Sequence, residues 1–273
     1  MSAEPAADPE GRGEFLVRPD GTVRGDDGAA GALAAALPYT GRLARRMGEL
    51  VGAGDLRLME AFGARRLTVG VTWTPAGEGT FRAVVTPLEQ RVGPSFMVVG
   101  GADTAATVDH CVNRLAAVEG VAWSSIVTAD SRVIAAVGER QDLHHLAEVG
   151  NRMLAILRSL EDQHATGFMR LRFEQGAVIG ASLGRHALVA FASTAQDTDL
   201  VSMIDEIRAI LADHDLASVT TEFEPRSGEE PAPTVAVDVA EPTAPVRPVM
   251  PVGARYRGVA RPEKRPKRSR FGR

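Results

Sequence analysis

The most regular hydrophobic pattern in the chain lies between residues 103 and 214, and it changes period several times. Val108, Val112 and Leu115 recur at helical spacing, so a helix is predicted from an Asp103 cap to Val118, ended by Gly120. Val121 to Thr128 and Val133 to Val137 alternate as strands do, around the turn Ala129-Asp130-Ser131. A long helix is predicted from an Asp142 cap to Gln163, with Leu146, Val149, Met153, Ile156, Leu157 and Leu160 on one side. Met169–Glu174, Ala177–Ser182 and Ala187–Ser193 read as three strands, with Gly176 and Gly184-Arg185 in the turns. Leu200, Ile204, Ile207 and Leu211 share one face of a last helix over Thr198–Ala212. The predicted order is α-β-β-α-β-β-β-α.

The stretch before it, 13–101, reads as a degenerate copy. Phe15 to Arg18 and Thr22-Val23 form a hairpin around Pro19-Asp20-Gly21, where a fixed φ, a self-bonding carboxylate and a permissive glycine combine. A helix is predicted over Pro38–Val51, followed by strands at Leu56, over Arg66–Thr72 and over Phe81–Thr86. Leu56-Arg57-Leu58 followed by Gly63 has the spacing of Met169-Arg170-Leu171 followed by Gly176, which suggests an internal repeat. This copy lacks a clear first helix, and its last helix is missing or replaced by Val92–Gly101.

Val118-Glu119-Gly120-Val121, the hairpin through Asp130, and Gly184-Arg185-His186-Ala187-Leu188-Val189 carry a resemblance. Over about 103–214 the chain resembles the Roadblock/dynein light chain superfamily. One departure is the hairpin turn, which usually holds Asp-Gly in that family and here is Asp130-Ser131; the first half has Asp20-Gly21 at the matching place. The resemblance implies an α/β (α+β) fold with an antiparallel five-stranded sheet and helices. It also implies a non-enzymatic adaptor or regulator that dimerises by joining sheet edges and pairing long helices. Partners implied are proteins, including small Ras-like GTPases and signalling complexes. With both halves built this way, one chain supplies a monomeric pseudo-dimer, with a homodimer as the alternative; pairing edges inside the chain removes an aggregation liability.

The residues offer a candidate helix–helix interface. Leu143, Ala147, Gly150 and Leu154 form a second apolar stripe on the 142–163 helix, where a surface helix needs only one. Gly41, Ala44 and Gly48 line one side of the 38–51 helix, with Leu43, Met47 and Leu50 toward the other. The two helices are therefore expected to cross near Gly48 and Gly150. Arg42, Arg45 and Arg46 form a basic ridge, either solvated or turned to an acidic partner. Trp73 is either a core plug or an exposed contact.

Charge changes the picture at the C-terminal end. The net charge is −4, yet residues 247–273 hold ten Lys/Arg against Glu263 alone, a local +9 that leaves −13 for residues 1–246. Residues 1–12 and 217–273 are expected to be disordered, the latter Pro-rich and then basic. Arg255, Arg257, Lys264, Arg265, Lys267, Arg268 and Arg270 are candidate contacts for an anionic partner. Such a tail suits weak binding to nucleic acid or an anionic membrane, which makes a nucleic-acid-associated protein the alternative reading. A secretion-chaperone-like module holding a client segment is a third.

Chemistry is sparse. Cys111 is the lone cysteine, so an intrachain disulfide is impossible and a cytoplasmic setting fits. Neither a signal peptide nor a transmembrane segment is expected. Adjacent His144 and His145 point about 100° apart on a helix and do not share a metal in the i, i+4 manner. Ser124-Ser125 lacks a nucleophile elbow, and no phosphate-binding glycine loop occurs. No catalytic residue, metal site or cofactor is expected.

Overall fold

The computed structural model describes residues 12–25, 27–88, 103–138, 142–161, 166–193 and 197–220. The segment 92–101, the tail beyond residue 220 and its seven candidate basic contacts lie outside the described residues.

The first half contains β1 (Gly13–Val17), β2 (Val23–Gly25), α1 (Asp27–Leu50), β3 (Leu56–Gly63), β4 (Arg65–Trp73) and β5 (Gly79–Pro87). The second contains α2 (Thr104–Ala116), β6 (Val121–Thr128), β7 (Val133–Gly138), α3 (Leu143–Glu161), β8 (Thr166–Phe173), β9 (Gly176–Leu183), β10 (His186–Ala192) and α4 (Asp197–Leu211). The predicted α-β-β-α-β-β-β-α order is the one observed. A short 3-10 turn, Leu216–Ser218, follows, capped by the Asp215 carboxylate, which accepts from the Ala217 N–H at 3.1 Å.

The ten strands of the described residues form one antiparallel sheet, ordered β2-β1-β5-β4-β3-β8-β9-β10-β6-β7. Counted outward from the centre, each half runs third, fourth, fifth, first, second strand. The halves are thus related by a pseudo-twofold axis between β3 and β8. Helices α1 and α3 lie on one face, over a core containing Phe15, Met59, Val69, Phe81, Val127, Met169, Leu171 and Val189. Helices α2 and α4 cover the other face of the second half, over Ile126, Ile179, Leu188 and Ala190. Among the described residues, the first half has no counterpart of α2 or α4.

Three local expectations need correction. Helix α1 begins at Asp27 rather than Pro38, which sits inside it. Pro38 has the sequence signature of a first-turn residue, but Ala30, Leu33, Ala34 and Leu37 are buried in the core with Phe15 and Val17. That burial offsets the roughly 3 kcal/mol an interior proline costs. The backbone breaks at Gly31, whose φ of 29° and ψ of −133° are non-helical. Asp103 does not cap α2 with its carboxylate; its carbonyl accepts from the Thr107 N–H and hydroxyl instead. By contrast, Asp142 Oδ1 accepts from the His144 N–H at 2.9 Å, a true cap for α3.

The repeat register also shifts. β3 and β8 are each eight residues long, and Leu56–Gly63 corresponds to Thr166–Phe173, an offset of 110 and not the 113 of the Leu-Arg-Leu match. A slip of three would exchange the two faces of the strand, whereas the offset of 110 keeps both Met59 and Met169 in the core beneath α1 and α3. Finally, the hairpin turn carries a cost: Ser131 has φ 60°, the one positive φ at a non-glycine among the described residues. Gly21 takes φ 80° in the first-half turn, where glycine adopts it freely.

Candidate protein-binding surface

Helices α1 and α3 pack side by side over the centre of the sheet. The small residues do not mark their contact. A Cβ on Gly150 would lie 2.5 Å from Val127 Cβ on β6, so Gly150 seats α3 on the sheet. Leu143, Ala147 and Leu154 share that side by helical spacing, and Ala147 and Leu154 are buried. Likewise a Cβ on Gly41 would meet the Phe81 ring at 2.5 Å, and one on Gly48 would meet the Gly54 carbonyl at 2.6 Å and Phe173 at 2.7 Å. Ala44, fully buried, lies between them. The expected crossing near Gly48 and Gly150 is therefore corrected: these glycines are notches for the sheet. One ion pair reaches from helix to helix, with Arg46 Nε of α1 3.8 Å from Glu148 Oε1 of α3.

The outward side of α1 carries Ala32, Ala35, Tyr39, Arg42, Arg46 and Glu49, all exposed and at i, i+3, i+4 spacing. Tyr39 is 45% exposed and, with Val23, is one of two large exposed hydrophobics among the described residues. Leu43 and Leu50, half-buried, edge the same surface. The basic ridge divides. Arg45 lies over the Trp73 ring at 5.2 Å, donates to the Gly77 carbonyl at 3.3 Å and sits 3.8 Å from Asp55. Arg46 donates to Glu49 at 2.7 Å, which holds the guanidinium even more firmly protonated, and Glu148 also pairs with Arg152 at 2.6 Å. Arg42 alone of the three points into solvent with none of the ion pairs seen for its neighbours.

Other candidates for chemistry take structural roles. Trp73 is a plug: its indole N–H donates to the Leu56 carbonyl at 2.9 Å, and its ring meets Phe81 edge-on at 6.1 Å. The Ser124 hydroxyl donates to the Val112 carbonyl at 2.7 Å and that of Ser125 to Ala135 at 2.9 Å, so both serve buried backbone. Cys111 is fully buried, and desolvation pushes its thiol up to about 11, which suits a packing residue. Burial and the neighbouring Arg185 lower the His186 pKa, favouring the neutral ring. Among the described residues no group of three His, Cys, Asp or Glu could hold a metal ion. None of their helices is long and apolar enough to cross a membrane.

Sequence reasoning expected a seam between the halves but missed the residues that form it. Across it Glu60 faces Arg170 and Phe62 faces Phe168, whose rings stack at 4.4 Å. Glu60 is 2% exposed. Its carboxylate bonds Arg66 of β4 and Arg172 of β8 (3.1 Å), with Arg170 at 3.9 Å. A lone acid inside an otherwise largely apolar strand, Leu56–Gly63, was the available signal.

No protein-family model matches the chain, and no curated protein does. Among solved structures, Myxococcus xanthus MglB is similar at 15% identity, over 42% of this chain and 92% of that one, with a TM-score of 0.35. The Roadblock/LC7 domain from Streptomyces avermitilis is similar at 15% identity, over 38% of this chain and 90% of that one, with a TM-score of 0.32. By its own topology the chain is an α/β protein built on five-stranded antiparallel sheets with helices. Two such sheets are joined edge to edge within it.

Proposed function

We propose that the chain is a non-enzymatic adaptor or regulator that binds a protein partner through the paired-helix surface, and that its partner is a small Ras-like GTPase or a signalling complex. The exposed Tyr39 beside Arg42 carries this reading. A tyrosine held on a rigid helix, flanked by alanines and an outward arginine, has the composition of an interface anchor. Neither α1 nor α3 needs that tyrosine for the core, which the opposite sides of both helices already fill. Tandem fusion makes the surface a fixed feature of one polypeptide, independent of protein concentration.

The test is a photocrosslinking amino acid at position 39 of the full chain, with lysate loaded with GTP or GDP. A protein adduct that depends on the nucleotide and disappears with Arg42→Glu is expected. No adduct in either state, or the same adducts as from a probe at Val23 on the sheet edge, would remove the GTPase-linked reading.

A further inference from the structure

The register at the centre of the sheet has a consequence for which strand edges can meet. With the halves offset by 110 residues, Glu60 and Arg170 are equivalent positions, and they stand opposite each other. The pseudo-twofold axis therefore passes between them. In a symmetric homodimer one residue type would face itself there. Here an acid faces a base, and both are nearly inaccessible, at 2% and 3% exposure.

The charges come from unequal sources. β8 contributes Arg170 and Arg172 to this side of the sheet and no acid anywhere along its length. β3 contributes Glu60, and β4 of the same half contributes Arg66. If β8 paired with the β8 of a second copy in the same register, four guanidinium groups would converge on the axis with no carboxylate from either strand. Like charges opposite each other in a sheet are destabilising, and burial removes the screening that would soften them. The β3 edge brings the missing anion.

We propose that Glu60 makes the β8 edge selective: β8 accepts a strand bearing a carboxylate at the axis position, which its own first half supplies, and rejects a second copy of itself. The seam thereby commits the two halves to each other within one chain. The neighbouring Phe62–Phe168 stack supplies contact area but no polarity, since aromatic rings pair equally well with their own kind.

The experiment uses three full-length proteins: wild type, Glu60→Arg, and the exchange variant Glu60→Arg/Arg170→Glu. Thermal unfolding and amide hydrogen exchange of 56–63 and 166–173 are read for each. Glu60→Arg places four guanidinium groups on the axis. It is expected to lower Tm by roughly 10 °C and to lose protection first at β3 and β8. The exchange variant restores three cations and one anion, with the acid now on β8, and is expected to recover much of both. If Glu60→Arg proves insoluble, soluble recovery of the exchange variant is the same readout. Wild-type protection in Glu60→Arg, or an exchange variant no better than Glu60→Arg, would overturn the proposal.

Discussion

Truncating Leu154 to alanine is expected to cost about 2–5 kcal/mol of folding stability, measured by urea unfolding. Leu154 is 2% exposed and lies on the same side of α3 as Gly150, whose backbone rests on Val127 of β6. Its side chain fills space between helix and sheet, so its loss removes transfer energy and leaves a cavity that neighbours on strands cannot close. The value also separates two arrangements of α3. With the Leu143–Ala147–Gly150–Leu154 stripe over the sheet, the loss is of full core size. Were that stripe facing solvent or a distant partner, the loss would fall within about 0.5 kcal/mol, as for surface positions.

Gly150→Leu is expected to destabilise by at least about 2 kcal/mol, even though leaving glycine inside a helix normally gains up to about 1 kcal/mol. The Cβ alone would meet Val127 Cβ and both Val127 methyl groups at 2.5–2.7 Å. Val127 is β-branched, on a strand paired on both sides and fully buried, so it has no free rotamer to retreat into. The helix must lift instead. Gly150→Ala should fall between wild type and Gly150→Leu. A prior Val127→Ala change should reduce the cost of Gly150→Leu, and equal costs in both backgrounds would show that the contact is not the cause. A companion notch is Gly180, where a Cβ would meet the Met153 side chain at 2.2–2.8 Å; methionine yields more easily, so that site is more tolerant.

Which parts of this were legible in the sequence follows from the range of each signal. Element order in the second half rests on local periodicity and local turn residues, and β6 to α4 fall where Val121, Asp142, Gly184 and Leu200 place them. The Asp20 turn was equally local: Thr22 donates to Asp20 Oδ1 from its N–H at 2.9 Å and its hydroxyl at 2.6 Å. Failures occur where a distant partner decides. Pro38 looks like a helix start until the buried faces of Leu33 and Leu37 are counted. The stripes of small residues looked like a helix–helix contact because spacing tells which residues share a face, not what covers it. Gly48 and Gly150 meet Phe173 and Val127, each far away in sequence, and no local pattern names those residues. The Glu60 cluster joins β3, β4 and β8, strands that sit side by side only once the fold exists. Its sequence trace is a buried acid that pattern reasoning reads as an exposed one.

One sheet shared by both halves implies one cooperative unit, and the chain carries a built-in reporter for each half. Its two tryptophans are Trp73 in β4 and Trp123 in β6. In Trp73→Phe only the second half fluoresces, and in Trp123→Phe only the first. Within each variant, the urea transition followed by tryptophan emission is expected to coincide in midpoint and slope with that followed by far-ultraviolet circular dichroism. Coincidence in both variants is the result expected of a tandem pair folded as one molecule. A tryptophan transition displaced from the circular-dichroism transition in either variant would show the halves unfolding separately, and would contradict it.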